Sequence, residues 1–211
     1  MPNNQSVTTY VMSPELPWPD AAIAADALGA LDPVALFKGG EAHSCAIRRI
    51  SSLGATVRGA GLRAGGEPVA IELETGQRAA GTLDWSEDGE AGLRFAHPID
   101  MIAILNRKLL NQPGERRTMP RVEIRCPVGI KWGIDVAAAT LRNISAGGLQ
   151  LHGEGLPSRD TFVTMYVEGL NLRSGIVMWQ KANLAGVEFM EELGWSSLMQ
   201  WVRETMRNQA S

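Results

Sequence analysis

Along most of the chain, apolar and polar residues alternate in short runs, the period expected of strands with one face buried. The pattern is clearest in the second half. Val128–Trp132, Ala139–Asn143, Gly148–His152, Phe162–Val167, Leu172–Met178 and Leu184–Phe189 are short and rich in β-branched and apolar residues. Glycines and polar clusters such as Gly153-Glu154-Gly155 and Lys181-Ala182-Asn183 separate them. Six short strands are too few for a broad sandwich and predict a small closed barrel, which leaves no exposed edge. Two stretches change period. In Ile99–Leu110, Ile99, Ile102, Ala103, Leu109 and Leu110 recur at helical spacing, and Leu193, Leu198, Trp201, Val202 and Met206 do so within Leu193–Met206. Both stripes are expected to cover an open end or face of a barrel, with a partner-binding helix as the alternative.

The strand pattern occurs twice. Sliding the chain by 94 residues lays Pro33–Phe95 on Pro127–Phe189 without a gap, and 17 of the 63 positions are identical. The identities cluster where a fold needs them. Arg48-x-Ile50-Ser51-x-x-Gly54 meets Arg142-x-Ile144-Ser145-x-x-Gly148, and Gly59-x-Gly61-Leu62 meets Gly153-x-Gly155-Leu156. Further on, Gly81, Trp85, Ala91-Gly92 and Phe95 meet Gly175, Trp179, Ala185-Gly186 and Phe189. The expected fold is therefore mainly β, with two tandem six-stranded barrels, each followed by an α-helix. The expected organisation is a flexible tail over 1–20, a first barrel with its helix over 21–111, and a second over 112–211. Proline-rich residues 1–20 show no periodicity, and alanine-rich Ala21–Leu31 suits a short helix.

Composition narrows the class. The chain has 211 residues, 45% hydrophobic and 20% charged, which fits an ordinary folded protein. Its 23 glycines fit frequent turns. A net charge of −3 opposes a general nucleic-acid coat. Charge is uneven, however: Asn106–Arg125 holds Arg107, Lys108, Arg116, Arg117, Arg121 and Arg125 against Glu115 and Glu123. Such a cluster suits either a small-anion site or a solvated linker. Cys45 and Cys126 stand far apart without metal-ligand spacing, which predicts buried or free thiols in a reducing compartment. No apolar run is long enough to span a membrane, and the N-terminus has no basic start before an apolar core. A cytoplasmic location without membrane insertion is expected. His43, His97 and His152 are dispersed, and no nucleophile elbow or phosphate loop is present, so no metal site and no enzyme are expected.

The chemistry is concentrated ahead of and inside the second copy. Glu115-Arg116-Arg117-Thr118-Met119-Pro120-Arg121 contains Arg-x-x-x-Arg, and Asn143-Ile144-Ser145-Ala146-Gly147-Gly148 contains Asn-x-Ser-x-x-Gly. Pro120 keeps Met119 extended, so the arginines stand on a loop and can wrap a ligand. A guanidinium fork matches the paired O6/N7 acceptor edge of guanine and also grips phosphate. Asn143 offers a donor and an acceptor, Ser145 a hydroxyl, and Gly148 either a close backbone approach or a φ > 0 turn. Alone, Asn143 and Ser145 equally suit a turn-capping pair at a strand end.

Both motifs in this order resemble the signature of the PilZ domain, a bacterial receptor for the second messenger cyclic di-GMP. The resemblance covers Glu115–Met190 well and the first copy weakly. It implies that Arg117 and Arg121 clamp guanine and phosphate, with Asn143, Ser145 and Gly148 as the opposing wall. Arg116, directly before the motif, implies binding of the ligand as a stacked, intercalated pair. No cofactor is implied beyond the ligand itself. At the equivalent positions the first copy has Ile23 for Arg117, Ala27 for Arg121 and Arg49 for Asn143, which makes it a degenerate, non-binding copy. Arg48 and Arg49 could reach an acidic partner, although exposed strand arginines are usually solvated, and the acidic group Asp84, Glu87, Asp88 and Glu90 is expected to form a solvated hairpin tip.

The function implied is a receptor or effector that binds through the second barrel and relays the signal by interdomain or partner rearrangement. Its effector protein is not named by the sequence; motility, secretion and exopolysaccharide systems are the family's settings. Two alternatives stand beside it: a PilZ-fold adaptor acting through protein contacts without nucleotide, and a module for another anion such as nucleic acid. The latter is opposed by the charge and by the lack of a basic-aromatic stripe.

Overall fold

The apolar runs pair as antiparallel strands that close into rings. The computed structural model describes residues 7–18, 31–111, 120–170 and 174–209. The chain divides into two units, Met1–Pro120 and Arg121–Ser211. The boundary expected at 111/112 adjoins residues 112–119, outside the described set, as does the helix expected over 21–31 for all but its last residue.

In the first unit the strands are β1 (Thr9–Val11), β2 (Asp32–Lys38), β3 (Glu41–Ser51), β4 (Gly54–Arg58), β5 (Pro68–Glu72), β6 (Arg78–Glu87) and β7 (Glu90–Phe95), followed by α1 (Met101–Asn111). Strands β2, β3, β4, β7, β6 and β5 pair in that order, and β5 returns to β2 to complete the ring. In the second unit come β8 (Arg121–Glu123), β9 (Cys126–Trp132), β10 (Asp135–Ser145), β11 (Gly148–His152), β12 (Phe162–Tyr166), β13 (Ser174–Lys181), β14 (Leu184–Phe189) and α2 (Trp195–Gln209). There the ring runs β9, β10, β11, β14, β13, β12 and back to β9.

The two rings share more than order. Each has a bulge in its second strand, between Ile47 and Arg49 in one and between Leu141 and Asn143 in the other. A second pair of bulges lies between Leu83 and Trp85 and between Val177 and Trp179. A bulge shifts the side-chain alternation by one residue, so it decides which side chains face out. Inside, Leu36, Ile50, Ile71 and Leu93 are fully buried in the first barrel, and Ile130, Leu141, Ile144, Leu151 and Met165 in the second. Asp88 and Ala182 hold φ of 49° and 50° at equivalent hairpin turns, each of two residues between paired strand ends.

The helices start close to the expected positions, but their buried faces differ in part. Asp100 caps α1, its carboxylate accepting from the amides of Ile102 and Ala103 at 3.0 Å each. Met101, Ile104, Leu105 and Lys108 are buried, whereas Ala103 is exposed and Ile102 half-buried. The side chains of Leu109 and Leu110 lie outside the described residues. Lys108 breaks the apolar stripe because the cluster it joins is polar. Its ammonium bonds to Asp32 and lies 3.4 Å from Glu74, and the Tyr10 hydroxyl donates to Asp32. Burial and the neighbouring Asp32 carboxylate raise the Tyr10 pKa above its usual value, so the phenol stays protonated. In α2, Leu198, Met199, Trp201 and Val202 are buried, and the Trp201 indole donates to the Glu168 carbonyl at 2.9 Å.

Three expectations are corrected in the first unit. Residues 7–18 are not a flexible tail: Thr9 and Tyr10 pair in parallel with Arg49 and Ile50, and Tyr10, Val11 and Met12 are buried. Arg48 and Arg49 are not solvated; both are buried. Glu90 is also buried, with Arg48 donating to its two carboxylate oxygens at 2.7 Å each and Arg58 at 3.1 Å. The strand period places these side chains correctly, but charge alone could not reveal that they find partners. Both cysteines are free thiols, and burial pushes Cys126 up to about 11. Among the described residues, no helix is long and apolar enough to cross a membrane.

Candidate ligand-binding site

The Asn143-x-Ser145-x-x-Gly148 motif forms the end of β10, a two-residue turn and the start of β11, with Ser145 paired to Gly148. The turn is held from behind. The Ala146 and Gly147 carbonyls accept from the amides of Leu193 and Phe189, at 2.9 and 3.0 Å. The Ser145 hydroxyl donates to the Gly148 carbonyl at 3.3 Å. Leu141 lies opposite Leu151 and Asn143 opposite Gln150, which leaves Arg142 as the extra residue of the bulge. Both Leu141 and Ile144 can therefore point inward while Asn143 points out.

Across the outer face, four strands place four residues in one row. Asn143 of β10 faces Gln150 of β11, Gln150 faces Gly186 of β14, and Gly186 faces Trp179 of β13. Asn143 Nδ2 donates to Gln150 Oε1 at 2.6 Å, which fixes the amide orientation. The indole of Trp179 lies on Gly186: a Cβ there would come within 2.5 Å of Trp179 Cε2. Trp179 remains 37% exposed. The row thus presents two amide groups beside a part-exposed aromatic ring, a combination able to hydrogen-bond and stack on a planar base.

Of the expected site residues, Asn143, Ser145 and Gly148 stand together on this hairpin. Arg121 begins β8, where Val122 pairs with Ile144, so Arg121 flanks the same segment. Its side chain reaches solvent, although surrounding protein desolvates it enough to lower its pKa. An arginine stays charged throughout the physiological range regardless. Arg116 and Arg117 lie outside the described residues.

Gly148 serves the packing of the strands, and the φ > 0 turn is not what requires it. Its φ is not positive, and a Cβ would collide with the Val187 carbonyl oxygen on β14. Gly54 meets the Leu93 carbonyl in the same way. This glycine lets two strands approach, and it is needed in both barrels. Gln150 and Trp179 lie outside both sequence motifs. For Trp179 the signal was present, since Trp85 and Gly92 match Trp179 and Gly186 in the repeat, but identity in both copies reads first as packing.

Among the described residues, no cluster of His, Cys, Asp and Glu is arranged to hold a metal.

Comparison with known proteins finds one family profile that matches. The sequence profile of the PilZ domain matches residues 115–203, which takes in both motifs and the whole row. A search of curated protein sequences found no match. Similar solved structures include the PlzA protein of Borreliella burgdorferi in complex with c-di-GMP, at 13% identity over 82% of this chain and 88% of that one, TM-score 0.31. Another is YcgR of Escherichia coli in complex with c-di-GMP, at 13% identity over 86% and 85%, TM-score 0.32. A third is the Bacillus subtilis inhibitor of motility, MotI/DgrA, at 13% identity over 87% and 98%, TM-score 0.31.

Proposed function

We propose that the chain, whose residues 115–203 match the profile of the PilZ domain, is a receptor for cyclic di-GMP that binds the dinucleotide on the outer face of the second barrel. The observation that carries the reading is the coincidence of the family match with the row Asn143–Gln150–Gly186–Trp179, which faces outward beside Arg121. Arg117 and Arg121 supply the guanidinium forks for guanine and phosphate, and Arg116 adds a third cation suited to a stacked pair of ligands. Asn143 and Ser145 meet the remaining polar edges, and Trp179 offers a stacking surface. Gly148 acts through the strand packing that shapes the wall. The protein is a receptor with no catalytic step of its own and no cofactor besides the ligand. Binding is relayed by interdomain or partner rearrangement.

Titration calorimetry with cyclic di-GMP tests this. Wild-type protein is expected to bind, with Arg117→Ala and Asn143→Ala each weakening the affinity at least tenfold, since a hydrogen bond to a charged group contributes about 1.5–3 kcal/mol. A ratio of two ligands per chain supports the stacked pair, and a ratio of one removes that role from Arg116. Wild-type protein that binds no nucleotide would sink the proposal in favour of an adaptor that works by protein contacts alone.

A further inference from the structure

The first barrel has the same row. Arg49 of β3 faces Thr56 of β4, Thr56 faces Gly92 of β7, and Gly92 faces Trp85 of β6. These are the positions of Asn143, Gln150, Gly186 and Trp179 displaced by 94 residues. In the first unit the face is occupied, and the occupant is the chain itself. Arg49 donates to the Trp18 carbonyl and Thr56 to the Pro17 carbonyl, both at 2.5 Å. The Trp18 ring meets Trp85 edge to face, with centroids 5.9 Å apart and planes at 87°. A Cβ at Gly92 would lie 2.7 Å from Trp18 Cζ3, and one at Gly54 would lie 3.3 Å from Leu16 Cδ2. Pro17 is buried.

We propose that this face of the first barrel is a peptide-binding site that recognises an extended proline-tryptophan segment, and that Leu16–Trp18 occupies it as a tethered ligand. The chemistry of the row has changed to suit that occupant. Arg49 and Thr56 are donors where Asn143 and Gln150 are amides of mixed character, and two successive backbone carbonyls are acceptors. Proline lacks an amide hydrogen and holds its backbone extended, so such a segment presents carbonyls at little cost in order. An aromatic-floored face that takes up proline-containing segments is a recurrent mode of peptide recognition. The degenerate barrel thereby has a positive role of its own, independent of whether the second barrel binds nucleotide.

The test uses the full chain and a fluorescently labelled, C-terminally amidated peptide of residues 13–18. In the wild type the tethered copy occupies the face at an effective concentration in the millimolar range, so the free peptide binds weakly or not at all. With Leu16→Asp and Trp18→Ala together, the same peptide is expected to bind saturably at one per chain and at least ten times more tightly than to wild type. Adding Arg49→Ala to that variant should weaken the peptide by at least tenfold. A peptide with the same residues scrambled should not bind. Equal binding of the scrambled peptide, or no binding to a variant whose far-ultraviolet circular dichroism and cooperative thermal unfolding are native, would overturn the proposal. Should the double variant fail to fold, hydrogen exchange on the full chain with Thr56→Val reads the same contact. Faster exchange across residues 12–18 with β2–β7 unchanged supports it, and unchanged exchange in that segment refutes it.

Discussion

Gly148 and Asn143 belong to one motif but carry different physical burdens. The glycine is required by the Val187 carbonyl that its Cα approaches, while Asn143 is oriented by Gln150 and turned outward by a bulge. Substitutions should separate the two. Gly148→Ala is expected to lower the melting temperature of the protein with or without ligand, and Gly54→Ala should do the same although it stands in the first barrel. Thermal unfolding by circular dichroism checks both, and a stable Gly148→Ala protein that has lost only binding would contradict this assignment. Trp179→Ala should leave the fold intact and weaken cyclic di-GMP by roughly 5- to 150-fold, the equivalent of about 1–3 kcal/mol for a lost base–aromatic stack. The motif letters were legible in the sequence, but their division of labour was not. A glycine against a neighbouring strand and a glycine against a ligand leave the same letter, and only the position of Val187 distinguishes them.

At the level of elements, strand positions followed from the apolar period, and Gly148–His152 and Leu184–Phe189 have the bounds the pattern predicts. What escaped the pattern was polar burial. Lys108 sits on the inner face of α1 where a stripe of apolar residues is expected, because Asp32 at the start of β2 is there to meet it. Glu90 is buried for the same kind of reason, between Arg48 and Arg58. Periodicity counts such residues as breaks, since a partner distant in sequence leaves no local trace. Lys108→Met is expected to destabilise the first unit by about 3–5 kcal/mol, because Asp32 would remain buried without its countercharge. Adding Asp32→Asn should recover much of that loss, since both ends of the pair are then uncharged. Urea denaturation of the single and double variants measures the coupling; additive losses would show that the pair contributes nothing as a pair.

For the whole molecule, the repeat was the most informative feature of the sequence and also a misleading one. It predicted two barrels of one pattern, while the order of strands round each ring and the shared bulges emerge only from the structure. It invited the view that a copy without arginines is merely lost function. The N-terminal segment could not be read that way because it lies outside the repeat and has no period, so nothing in its letters announces where it rests. The two faces should respond differently to the same molecule. Cyclic di-GMP is expected to slow hydrogen exchange in the β10–β11 hairpin and at the β13–β14 row, and to leave the matching segment 48–58 of the first barrel unchanged. Protection of both hairpins would mean that each barrel binds.

The contact between Trp18 and Trp85 also gives the molecule optical properties of its own. Two indoles with centroids 5.9 Å apart, held at 87°, are close enough to share excitation and are fixed in an asymmetric arrangement. Their near-ultraviolet dichroism therefore reports whether the N-terminal segment is seated.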